Sequence, residues 1–315
     1  MGMARLGGAL AILAVLAGTG RAQDAVEESV AYQAWYAANE AKDLAKALKL
    51  AKDYLEKHPK GQQAEFLAKW AAGARGALFN EAVQRKDLTA LLDLGQQRLA
   101  EDPNDLAYLL ALALQLRRNE LFASPPVFTH GAEAADFSQR AIALIDSGKT
   151  PPGADPAKWN KGDALSWLHQ NLAAVRYKEG KKDEALAAFT KATELDPDNA
   201  TVVAYNELYC GLIHKDRYDD AAKRFQALPE EEKKAAAPSE AVQAAMDDVG
   251  EHADAAIKAW ARFVALSEAK GILAGTREQV GKTLADLWAY RNPQEPEGYK
   301  KLIDTFRPGS AAAAP

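Results

Sequence analysis

The strongest constraint on the fold is a recurring punctuation. Stripes of apolar residues spaced three and four apart are closed by proline words. Asp196-Pro197-Asp198-Asn199 ends one stripe, Asp102-Pro103-Asn104-Asp105 ends another in nearly the same letters, and Pro59 and Pro229 end two more. A spacing of three and four is the period of a helix, not of a strand. Proline cannot continue a helix and restrains the residue before it, so each word is a stop. Pro197 and Pro229 lie 32 residues apart, a period that marks stacked helical units. Composition agrees. About a fifth of the 315 residues are Ala, whereas Val, Ile and Thr together make about 9%, which favours helices over sheets.

The clearest unit runs from Ala164 to Ala200. Leu168, Leu172 and Val175 share one helical face, and Gly180 closes that helix among Lys178, Lys181 and Lys182. Glycine is suited to a helix C-terminus, and cations suit its negative end. Ala185, Phe189 and Ala192 line a second helix that Pro197 stops. These are two antiparallel helices joined by a tight turn.

This segment resembles the tetratricopeptide repeat family. Leu172-Ala173 matches its Leu-small pair, and Gly180, Ala185, Phe189, Ala192 and Pro197 fit its turn, small residues, aromatic and terminal proline. Tyr177 falls one place after the family's first-helix aromatic, and His169 stands where the family has Trp. The resemblance implies an all-α, right-handed superhelical solenoid of stacked antiparallel helix pairs.

The repeat domain is placed at residues 23–308, with the clearest repeats at 164–197 and 198–229. In the second of these, Tyr205, Leu208, Tyr209 and Leu212 form one face. After a turn at Lys215-Asp216, Tyr218, Ala221, Phe225 and Leu228 form the next. Divergent repeats are placed at 24–59, 60–103, 104–147 and 238–271, capping helices at 276–306, and a disordered tail at 309–315. The 60–103 unit is expected to have a long first helix, roughly Ala64–Lys86, because its closing prolines are 44 residues apart. Leu106–Leu116 is apolar nearly all round, as an enclosed helix would be.

Two loops interrupt the rhythm, Leu121–Gly131 and Gly148–Gly162, each with a Pro pair. They read either as tolerated surface insertions or as a site element, with Phe122, Phe128 and His130 folding over a groove.

The N-terminus reads as a secretory signal. One charge in Met1–Arg5 precedes the apolar run Leu6–Ala17, and small residues lead to a cut after Ala22. Twelve apolar residues are too few for a spanning helix, which needs about 20. Gln23 rather than Cys follows the cut, so a lipoprotein is not expected. The reading is an exported protein, periplasmic or secreted. A single cysteine, Cys210, excludes an internal disulfide framework and a Cys-rich metal site. The net charge of −5 argues against nucleic acid as a partner.

The motif search yields decoys. Gly275–Thr283 has five residues between its glycines where a phosphate loop has four, and Ser267–Lys270 lacks the partner motifs of a serine acylase. Of the five histidines, no two are spaced for one helix to present both to a metal. An enzyme would need a site assembled from His130, His169 and His214 with nearby acids. No catalytic residue, metal or cofactor is therefore assigned.

The family resemblance implies that first helices line a concave groove where peptides or partner segments dock. Carried over residue by residue, the lining is Trp167, Gln170, Asn171, Ala174, Tyr177 and Lys178. The next unit adds Val203, Asn206, Cys210 and His214, and the enclosed unit adds Leu110, Leu114 and Arg117. The cations of a carboxylate-binding groove are not at the family's places, since Gln170 and Val203 stand there. The expected function is an exported, non-enzymatic scaffold that binds a protein or peptide in the groove. The alternatives are a small-molecule or glycan binder and, further off, an enzyme.

Overall fold

The structure is a computed structural model. It describes residues 20–123, 125–155, 157–235 and 237–309, with side chains from residue 23 onward. The expected leader and tail therefore lie outside the described residues, except for Gly20–Ala22 and Gly309. The protein is all-α, built from packed neighbouring helix pairs, and among the described residues no strand occurs. The chain divides into two compact units, 1–103 and 104–315.

The first unit holds four helices, α1 (Gly20–Glu40), α2 (Leu44–Lys57), α3 (Ala64–Arg85) and α4 (Leu88–Glu101). Asp43 and Asp87 cap α2 and α4 by accepting from Lys46 N and Ala90 N at 3.1 and 3.0 Å. Connections of a few residues make each pair antiparallel. Ala47, Leu48, Ala51, Leu67, Leu91 and Leu92 form the core, small residues letting the helices approach closely. Trp35 is 2% exposed and meets Tyr32, Phe66 and Trp70 with ring centroids 5.2–5.6 Å apart. Arg75 is enclosed and grips Glu101 through two hydrogen bonds of 2.6 Å, a bidentate geometry that joins α3 to α4.

The second unit starts with α5 (Leu106–Leu116), which runs into a π-helical turn at Arg117–Leu121. Then come α6 (Gly131–Asp146), α7 (Lys161–Lys178), α8 (Lys182–Leu195) and α9 (Ala200–Ala227). A single turn, α10 (Glu230–Lys233), leads to α11 (Glu240–Lys270), α12 (Ala274–Arg291) and α13 (Tyr299–Thr305). Leu109, Leu112, Ala113 and Leu116 are completely buried in α5. Between α7 and α8, Gly180 takes φ +77°, which glycine reaches without a Cβ penalty. The Gly275–Thr283 stretch lies inside α12 and forms no loop.

The segment expected as a helix–turn–helix at 198–229 is one 28-residue helix, α9. The turn at Lys215-Asp216 does not form. No glycine or proline stands there, and Lys215 bridges the expected break by pairing with Asp219 one turn on, at 2.6 Å. The 238–271 segment is likewise one helix of 31 residues, closed by Gly271 at φ +64°. So α9 and α11 pair along their length as one oversized hairpin, and that shared face stabilises both helices. Its core is Leu208, Ala253, Ala256, Ile257, Trp260 and Phe263, with Leu284 and Leu287 of α12 beside them.

Candidate binding surface

In the second unit the first helices α5, α7 and α9 carry the residues expected to line a groove. Three of them are not available to a ligand. Gln170, Asn171 and Asn206 are at most 1% exposed. The Gln170 amide donates to Val202 O at 2.9 Å and to Asn206 Oδ1 at 2.7 Å, and Asn206 donates to Thr193 Oγ1 at 2.9 Å. Asn171 donates to Ala113 O and Ser138 Oγ, both at 3.2 Å. A helix flanked on both sides turns its edge positions into its neighbours. Through these bonds the three amides hold α5, α6, α7, α8 and α9 in register, although Gln170 Oε1 finds no partner among the described residues. Ala174 and Val203 are buried as well.

Leu110, Leu114, Trp167 and Tyr177 are half-buried and Lys178 is exposed. Arg117 opens the π-helical turn, a device that often marks functional positions. Its guanidinium lies 4.1 Å from the Phe122 ring centroid, and Nη1 donates to Asn171 Oδ1 at 3.4 Å. Arg117 forms no salt bridge among the described residues. Burial pushes its pKa down to about 10, partly offset by the fields of Tyr205 and Asp163. Asp163 is itself pushed toward protonation by burial and by Asp196.

Phe122 and Phe128, from the Pro-rich loop, pack back onto α7 and α9. Phe122 meets Tyr205 and Tyr209 edge-on at 5.4 and 6.2 Å, and Tyr209 meets Tyr177 at 5.4 Å and stacks on Phe189 at 5.1 Å. Phe128 packs in the same cluster, with Lys178 Nζ 5.8 Å from its ring centroid. Glu120, 5% exposed, holds the far end of the loop by accepting from His130 N at 2.9 Å while Oε1 sits 2.6 Å from His130 Nδ1. Reasoning from sequence missed Glu120, and it named Arg117 and Phe122 without pairing them. Their signal was a lone acid and two arginines directly before the Pro-rich loop.

His214 and Cys210 face elsewhere. With Glu207 they line a cleft of about 440 Å3, walled by Leu186 and Thr190 of α8, Lys258 and Arg262 of α11, and Phe306. Glu207 pairs with Arg262 at 2.8 Å; burial pushes its carboxyl up against that attraction. Burial, and then the charge of Glu207, push the Cys210 thiol up to about 12, away from the thiolate form that a nucleophile needs. The three histidines weighed for an enzyme have separate neighbours: Glu120 for His130, Asp146 and Lys191 for His169, and His252 for His214. Among the described residues no group of three His, Cys, Asp or Glu side chains is placed to hold a metal. No helix among them is long and apolar enough to cross a membrane.

Burial, then Arg217 and His252, push His214 down to about 4. Its ring lies 5.7 Å from that of His252, which contacts Asp248 at 3.2 Å. An imidazole that is neutral when folded takes up a proton more readily when unfolded, near its ordinary 6.5. Its contribution to stability is therefore complete above about pH 6.5 and is lost as pH falls through about 4. In urea titrations at pH 7 and pH 4.5, the parent should lose more stability on acidification than a His214→Gln variant. Equal losses would refute this reading of His214.

Paired helices with a bonded interior and a face of aromatic and cationic side chains make a helical-repeat scaffold for protein interaction. The tetratricopeptide repeat family model matches residues 166–199, which span α7 from Ser166 onward, α8 and the Asp196–Asn199 stop. A search of the curated proteins finds no match for the chain.

Proposed function

We propose that this protein is an exported, non-enzymatic scaffold that holds a segment of a protein or peptide partner against the α5–α7–α9 face of the 104–315 unit. The observation that carries the reading is Arg117, a half-buried cation stacked on Phe122, bonded to Asn171 and without an ion pair among the described residues. Leaving such a charge uncompensated is costly, and a partner carboxylate would relieve that cost. Tyr177, Tyr205 and Tyr209 beside it offer aromatic surface for an apolar side chain of the same segment, and Trp167 and Lys178 extend it along α7. Export rests on the Met1–Ala22 leader, and N-terminal sequencing of the protein from its host would show Gln23 first.

The test is affinity capture from an envelope extract, with the parent beside a Trp167→Ala/Lys178→Glu variant. A stoichiometric partner recovered about tenfold less well by the variant, with both proteins melting alike, is the expected result. Equal recovery by two well-folded proteins would refute the groove reading.

A second reading rests on the cleft between α8 and α11. Its volume of about 440 Å3 lies in the small-molecule range of roughly 300–1,000 Å3. A thermal shift with free sugars or peptidoglycan fragments, abolished by Lys258→Ala, would favour it.

A further inference from the structure

The α1–α2 end of the first unit carries apolar surface that the unit itself leaves open. α1 is a two-sided helix. Trp35 and Ala38 are 2% and 5% exposed on its inner side, while Val26 and Val30, one turn apart, are 37% and 64% exposed. With Ala31 of α1 and Leu50 and Tyr54 of α2 they line a cleft of about 460 Å3. In stacked helix pairs such a face is buried by the next pair. An uncovered one is an attachment surface.

The charges on the two helices say what would cover it. After Arg21, α1 carries Asp24, Glu27, Glu28 and Glu40 and no basic residue. α2 carries Lys46, Lys49, Lys52 and Lys57 against Asp53 and Glu56. Of these charged residues, Glu27 of α1 and Asp53 and Lys57 of α2 line the apolar cleft between the two antiparallel helices. Glu27 and Lys57 stand on opposite sides of that cleft, and neither forms an ion pair among the described residues. With Glu27 on one rim and Lys57 on the other, the surface is complementary to itself at these two positions.

We propose that this face joins two copies of the chain into a twofold dimer, with the axis along the cleft. Rotation about that axis lays α1 of each copy over α2 of the other. Rotation about an axis across the cleft would instead set α1 on α1, acid against acid. In the chosen arrangement Val26 and Val30 fill the partner's cleft beside Leu50, and Glu27 meets the partner's Lys57 twice, once in each direction. Such reciprocity is what an isologous interface requires, and the alternative would set Glu27 against the other copy's acidic α1 with no lysine to meet it.

The test is sedimentation velocity on the chain as its host processes it, from about 1 to 100 μM, a range that detects micromolar association. A concentration-dependent dimer is expected. Val30→Glu should raise its dissociation constant by at least about tenfold. Glu27→Lys and Lys57→Glu should each weaken it by roughly threefold or more, and the double exchange should restore it to within about twofold. All three positions are at the surface, and circular dichroism would confirm that each variant is folded. A monomer throughout that range overturns the proposal. So does a dimer that ignores Val30→Glu, or charge reversals that the double exchange fails to rescue. None of these outcomes touches the α5–α7–α9 face, so the scaffold reading stands or falls separately.

Discussion

Replacing Gln170 by glutamate is expected to destabilise the second unit by about 3–5 kcal/mol at pH 7, the cost of an unpaired buried charge. Gln170 is completely buried, and its Nε2 donates to two oxygens, Val202 O and Asn206 Oδ1. A carboxylate there would face both acceptors with no proton to offer. Among the described residues Gln170 Oε1 already has no hydrogen-bond partner, so they hold no donor in reserve there. Urea denaturation at pH 7 would measure the loss. Because the introduced carboxyl regains one donor when it is protonated, the gap between variant and parent should narrow toward pH 5. A variant within about 1 kcal/mol of the parent, the scale of a single ordinary hydrogen bond, would show that the α7–α9 contact is looser than the bonded network implies.

Gly211→Ala should destabilise the protein by about 3 kcal/mol, the upper range for overpacking a filled core. By helix propensity alone the same change would stabilise α9 by about 1 kcal/mol, so the sign separates the two effects. Gly211 lies where α9 meets Trp260 of α11, and a methyl group placed there would overlap the indole at Cδ1 and Nε1. Trp260 is 2% exposed and cannot swing into solvent without opening the core of the hairpin. For a unit of this size the loss corresponds to a fall in Tm of roughly 6–12 °C. Trp260→Phe in the Gly211→Ala background should recover part of it, since a smaller ring leaves room for the methyl. A Tm at or above the parent's would mean that the helices separate at little cost.

Other residues show where sequence reasoning stopped. The α7–α8 turn was legible because Gly180 supplies the positive φ and Pro197 the stop, both local requirements. The break expected at Lys215-Asp216 rested on a repeat period and had no such residue behind it. Face assignment reached Tyr177, Lys178 and Arg117 but also named Gln170, Asn171 and Asn206. Helical spacing gives an angle around the axis, not the distance to the next helix. The same angle is groove or seam depending on how close α5 and α9 approach.

By itself the sequence determined the class of fold, the α7–α8 helix pair and the stops before Pro59, Pro103, Pro197 and Pro229, because caps, prolines, glycines and apolar spacing act within a few residues along the chain. Only the tertiary structure decided that α9 and α11 run unbroken as one hairpin, that three amides belong to the interior, and that the Phe122 loop lies against Tyr205 and Tyr209. The missing Gly or Pro at Lys215-Asp216 is local and agrees with an unbroken α9, but the pairing of α9 with α11, the burial of the amides and the seat of Phe122 depend on contacts between residues tens of positions apart, which no short window of sequence contains.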